Sequence, residues 1–219
     1  MIRFSLFAIS VSLVAAACSS SEPAPVGHDT PERAVVSWFE AIDSGDVEAA
    51  SASIDHTSLA LILGIENSLP IESTVAYLAG GVPVEVQASY WESFAEGFRE
   101  FASRPISTLT VGQANVFESE GEQFAVVPIS GGPASDSVVI SRMRADGSWE
   151  VDMVATLGDG FVTLLQSAFE GLPRGEDGDA VRTAYAETVV PSMWAAMADG
   201  TFGEDFARSA LALIERIEQ

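Results

Sequence analysis

The chain has 219 residues, 47% of them hydrophobic, enough to bury one sizeable core with an appendage. Acids outnumber bases 32 to 10, for a net charge of -22, and every base is an arginine. So negative a surface argues against nucleic acid and against adsorption on anionic lipid; it suits a solvated acidic exterior that could attract cations or basic partners.

The chain begins with the short basic stretch Met1-Ile2-Arg3, and Phe4 to Ala17 follows without a charge. That run falls short of the roughly 20 residues a bilayer span needs, but it suits the apolar segment of a signal peptide. It ends in Val14-Ala15-Ala16-Ala17-Cys18, and Cys18 is the only cysteine, so no intrachain disulfide can form. These residues resemble the lipobox of bacterial lipoproteins, with Ala15 where leucine is usual. The resemblance implies diacylglycerol on the Cys18 thiol, cleavage between Ala17 and Cys18, and acylation of the new amino terminus with a chain such as palmitate. The alternative is an ordinary secreted protein cut after Ala17, with Cys18 a free thiol. Residues 1–17 are then a signal peptide, and residues 18–29, rich in Ser, Pro and Gly, a solvated tether. The expectation is an exported protein of the cell envelope. It would be held outside the cytoplasm by lipid on Cys18, with no polypeptide span.

The folded part opens with Thr30 as a helix cap and Pro31 at the first helical position. Ala34, Val35, Trp38, Phe39 and Ile42 recur at helical spacing. Ser44-Gly45-Asp46 separates this helix from a short second one, Val47 to about Ile54, which Asp55-His56-Thr57 is expected to break. Leu59 to Leu63 is an apolar run that period alone does not classify. Glu72 to Leu78 reads as a helical turn or two. Val84 to Ser103 is the clearest helix, with a seam of Val84, Trp91, Phe94, Phe98 and Phe101 and Tyr90 beside it. The expected mate of that seam is the concave face of a sheet.

The sheet is read from Thr108 to Val154. Strands are expected over about Ser107 to Glu118, Gln123 to Ser130, Ser137 to Arg144 and Ser148 to Val154, with Pro128 marking an edge or a bulge. In the last strand Trp149, Val151 and Met153 alternate with Ser148, Glu150 and Asp152, which predicts one buried face and one wet face. Helix is expected again after Gly158-Asp159-Gly160. Pro173 to Asp179 reads as an acidic linker, Pro191 as a kink near Val190, and Glu204 to Glu218 as a closing helix.

A helical hairpin joined by Ser-Gly-Asp, a long aromatic helix and a meander ending Gly147-Ser148-Trp149-Glu150-Val151-Asp152 resemble, in that order, the nuclear transport factor 2-like superfamily. They resemble most its lipid-anchored bacterial members with a domain of unknown function. The matching pieces are Pro31 to Ala50, Val111 to Val126 and Asp146 to Asp152. The resemblance implies an α+β fold: a curved antiparallel sheet of about four strands wrapped on a long helix, with an N-terminal helical hairpin. Residues 30–156 would form this domain and residues 157–219 a helical extension packed on it. The implied pocket draws on Tyr90, Trp91, Phe94, Phe98 and Trp149. Members include isomerases and cyclases as well as binding modules, so fold does not choose a function.

Residue chemistry is sparse. His56, the single histidine of the folded region, lies beside Asp55 as a candidate acid-base pair, though a helix terminus explains both. Two histidines and one cysteine make no usual zinc site, and Gly175 to Asp179 lacks the spacing of a calcium loop, so no metal and no cofactor is expected. The leading expectation is a lipid-anchored binding or accessory module for a small apolar ligand or an envelope protein. An isomerase- or cyclase-type enzyme is the alternative, and a homodimer through the outer sheet face is a third possibility.

Overall fold

The computed structural model describes residues 27–132, 137–198, 200 and 202–219; Ala17 and Cys18 lie outside the described residues. The chain folds as α+β, with a curled antiparallel sheet between helices from both ends.

Thr30 caps α1 (Pro31–Ser44) by accepting from the Arg33 amide, and Ala34, Val35, Trp38, Phe39 and Ile42 are all buried. Asp46 caps α2 (Val47–Ala52), which closes the hairpin. Asp55 opens a helix as well as ending the previous segment. Its carboxylate accepts from the Ser58 amide at 2.9 Å and caps α3 (His56–Glu66). The Leu59–Leu63 run lies in α3, where every residue from Ser58 to Leu63 is buried. A helix covered on all sides has no polar face, so the run carried no period. Helix α4 (Ile71–Gly80) packs back on α3.

Helix α5 (Val84–Ala102) forms where expected, but its mate differs. It packs on α1, α2 and the short 3-10 turn Ile106–Thr108 rather than on the strands. Only Trp91 and Ala95 are fully buried, while Val84 and Phe101, read as the ends of the seam, are 58% and 73% exposed. Trp38 of α1 meets Trp91 edge-on, with ring centroids 6.3 Å apart. The sheet is contacted instead by α1 and by α6 (Met153–Glu170).

The first expected strand is split into β1 (Thr110–Val111) and β2 (Asn115–Ser119), and both pair with β3 (Glu122–Ser130). Val111 faces Ile129 and Asn115 faces Val126, so four steps on one strand match three on the other. That is a bulge of one residue beside Pro128, which cannot donate to a ladder. The Ala114 amide, freed by the bulge, donates to Glu32 of α1 at 2.8 Å. This bond holds the Glu32 carboxyl below its ordinary range. Strand β4 (Ser137–Met143) pairs with β3 and with β5 (Trp149–Val151). The free edge of β5 is covered by backbone bonds to His28, from the expected tether, and by Ser53 and Asp55.

Strand β5 stops at Val151 because Asp152 caps α6, accepting from the Ala155 amide at 2.8 Å. The helix therefore starts at Met153 and runs through Gly158, which was expected to precede it. A Cβ on Gly158 would come within 3.3 Å of the Phe202 and Phe206 rings, so that glycine serves close packing against α9 (Gly203–Ile217). The acidic linker is also shorter than read. Glu176, Asp177 and Asp179 form the first turn of α7 (Glu176–Ala184), where carboxylates suit the positive helix end. Helix α7 passes through one wide π turn, Tyr185–Val189, into α8 (Val190–Ala198); the wide turn accommodates Pro191.

The wet face predicted for the last strand is in fact covered. Glu150 is 7% exposed and Asp152 is fully buried, because the C-terminal extension lies over them. Ser192 of α8 donates to Asp152 at 2.6 Å. Asp152→Ala removes a cap and the buried partner of Ser192, so it should lower the unfolding free energy by about 2 kcal/mol in urea denaturation. Ser192→Ala should cost about 1 kcal/mol. Equal, negligible losses in both would refute the link.

Candidate functional site

The five aromatic residues expected to share a pocket do not share one. Tyr90 and Phe94 line a cleft of about 690 Å³ with Leu63, Glu66 and Tyr77. Trp91 is buried beneath it and donates its indole N–H to Ser51 at 3.2 Å, which makes it core. Phe98 is half-buried against the core and is not part of that cleft wall. Trp149 is 4% exposed and packs with Ala34 and Ala125 under α1. Burial of α5 on the helical hairpin, away from the strands, separates these residues.

Asp55 and His56 part company as well. His56 is exposed, while Asp55 is committed to the start of α3, accepting from Thr57, from the Ser58 amide and from the Ser58 hydroxyl. The Asp55 side of this turn borders a second cleft, of about 640 Å³, whose walls carry Glu122, Arg142, Arg144, Glu150 and Glu187.

Strand register builds that cleft. Phe117, Phe124, Arg142 and Glu150 are successive cross-strand partners on β2, β3, β4 and β5. The Arg142 guanidinium lies 5.8 Å from the Phe124 ring centre and pairs with Glu122 at 2.6 Å. Arg144 pairs with Glu150 and donates to the Ile54 carbonyl at 3.3 Å, tying β5 to the α2–α3 junction. Burial, aided by the neighbouring Asp55 charge, pushes the Glu150 carboxyl up to about 7 despite Arg144. Burial likewise pushes Asp152 up to about 6 against its two hydrogen bonds. The charges here are mostly spent on each other, so the cleft is a clamp between sheet and helices more than an open binding surface.

The third cleft has the opposite character. It measures about 540 Å³ and lies where α3 and α4 meet α6 and α7. Leu61, Ile65, Leu69, Leu164, Leu172 and Val181 supply its large apolar side chains together with Ile71, and no charged side chain lines it. The Tyr185 hydroxyl is satisfied, donating to the Leu165 carbonyl at 3.2 Å. Leu164 stands at the lip, 48% exposed. This cleft was missed in the sequence because its walls come from the unclassified run and from the extension.

Among the described residues, no three His, Cys, Asp or Glu side chains are placed to hold a metal ion, and no helix is long and apolar enough to cross a membrane. No family model, curated protein or solved structure matches this chain.

The raised carboxyls make stability depend on pH. Their folded values, about 7 for Glu150 and about 6 for Asp152, exceed the ordinary ones, so the folded state holds the extra protons. The stabilisation is complete below the ordinary carboxylate range and is lost as pH rises through those two values. Unfolding free energy should fall by about 2 kcal/mol or more between about pH 5 and about pH 8, and Glu150→Gln should flatten that slope. A flat profile in the parent chain would contradict the assignment.

Proposed function

We propose that this protein is a lipid-anchored, exported binding module of the bacterial cell envelope, and that it takes an apolar small ligand in the cleft between α3, α4, α6 and α7. One observation carries the ligand assignment: in a chain of net charge -22, that 540 Å³ cleft has no charged lining. Its volume falls in the range of small-molecule sites, which are mostly apolar with few polar groups. Its polar side chains are those of Ser68, Thr74, Ser167 and the already bonded Tyr185. Anchoring is supported by the lipobox-like Val14 to Cys18. Element order, from hairpin to curled sheet, supports the nuclear transport factor 2-like resemblance.

A second possibility, isomerase- or cyclase-type catalysis, is favoured by one feature: Glu66 and Tyr90 share a cleft wall. It requires turnover that Glu66→Ala abolishes while ligand still binds.

A neutral fluorescent probe such as N-phenyl-1-naphthylamine should bind saturably, one molecule per chain. Leu164→Glu, at the exposed lip, should weaken binding about tenfold or more with little change in melting temperature. Absence of saturable binding in the parent chain would remove the ligand assignment. Independently, cells fed labelled palmitate should label the protein, and Cys18→Ser should abolish the label and release the protein from membranes. Label or membrane retention in that variant would refute anchoring at Cys18.

A further inference from the structure

We propose that the cleft at Tyr90 binds an organic ammonium group, so that the ligand is a cationic amphipath with its charged head among Tyr77, Tyr90 and Phe94. Glu66 and Glu85 supply the countercharge. The placement of the apolar part rests on the function proposed above; the head site stands on its own residues.

Aromatic faces and carboxylates around one cavity are the chemistry that recognises ammonium ions. The 690 Å³ cleft has three aromatic side chains, two carboxylates and no arginine in its wall. The Tyr90 and Phe94 ring centroids lie 6.3 Å apart at 38°, and Trp91 braces Tyr90 edge-on at 4.8 Å, so the cage is held from behind by core. Glu66 ends α3 at the cleft wall with much of its surface open to solvent, and partial desolvation still raises its carboxyl above the ordinary range. Among the described residues, no arginine forms an ion pair with Glu66 or Glu85. That contrasts with Glu122 and Glu150, which both have an arginine partner. A bound cation would pair with these two carboxylates, whereas an anionic head would meet two like charges.

The two clefts share Leu69 as a common wall residue. The proposed ligand lays its chain along Leu61, Ile65 and Leu164 and turns its head over Leu69 to Tyr90.

The test is calorimetry on the full chain with decyltrimethylammonium, decanol, decanoate and tetramethylammonium, all below micelle concentrations and at physiological ionic strength. Decyltrimethylammonium should bind about tenfold tighter than decanol, with decanoate weakest. Glu66→Gln should erase that preference. Glu204→Gln, an exposed carboxylate on α9, should leave it intact and so controls for general attraction to an acidic surface. Equal affinity for decanol and decyltrimethylammonium, or equal losses in both variants, overturns the ammonium site but leaves the apolar cleft standing. Glu66-dependent binding of tetramethylammonium with no gain from a chain supports the head site and overturns the apolar assignment. No binding by any probe overturns both.

Discussion

Asp152 stands where β5 ends and α6 begins, with no exposure to solvent. One carboxylate oxygen caps the helix at Ala155 and the other accepts from Ser192, forty residues along the chain. A buried carboxylate is costly unless its lone pairs are met, and here the partners come from two different elements. The sheet end, the start of α6 and the π turn before α8 are therefore fixed relative to one another by one group. If the C-terminal helices separated, Asp152 and its neighbour Glu150 would face water. The wide turn at Tyr185–Val189 belongs to the same arrangement, since the Ser192 hydroxyl, with one proton for two acceptors, also lies 2.7 Å from the Thr188 carbonyl.

The same region shows how so acidic a chain uses its few arginines. Arg142 on β4 and Arg144, the residue just after it, are half-buried, each paired with a carboxylate of an adjacent strand. Their side-chain exposures are 16% and 20%, against 76% for Arg208, whose pair with Asp205 is a surface contact of little energetic weight. Arginine suits the interior positions because its planar head serves several acceptors at once. Arg144 reaches both Glu150 and the Ile54 carbonyl.

Much of this architecture is legible in the sequence, and the failures have physical causes. Caps made the hairpin readable: Thr30, Pro31, Gly45 and Asp46 each do what their type favours. Pro128 marked its bulge because proline lacks the donor a ladder requires. Two residues read as stops are a start and a passenger: Asp55 caps a helix it was expected to interrupt, and Gly158 sits inside a helix for close packing. Asp152, read as mid-strand, ends β5 early by capping α6. The wet face predicted for β5 failed because alternation reports polarity, not exposure. Glu150 and Asp152 are polar and covered. Of the candidate site, Tyr90 and Phe94 could be picked out by their aromatic spacing. Their partner Glu66 could not, since it lies at the end of a run with no readable period.

Helix α3 explains why the clefts lie where they do. Its middle, Ser58 to Leu63, is enclosed, but its last turn emerges at Gly64, Ile65 and Glu66, where the packing of α4 and α5 diverges from that of α6 and α7. Gly64 lets Thr74 of α4 approach closely; a Cβ there would lie 2.6 Å from the Thr74 hydroxyl. Two helical layers meeting a third at one end cannot both stay in contact along their full lengths, so a cleft opens on each side. One side receives no charged residue and the other receives Glu66, Glu85 and the rim of α5. The charge difference between the two clefts thus follows from which helix faces happen to meet there. A ligand matched to both must be apolar at one end and positive at the other.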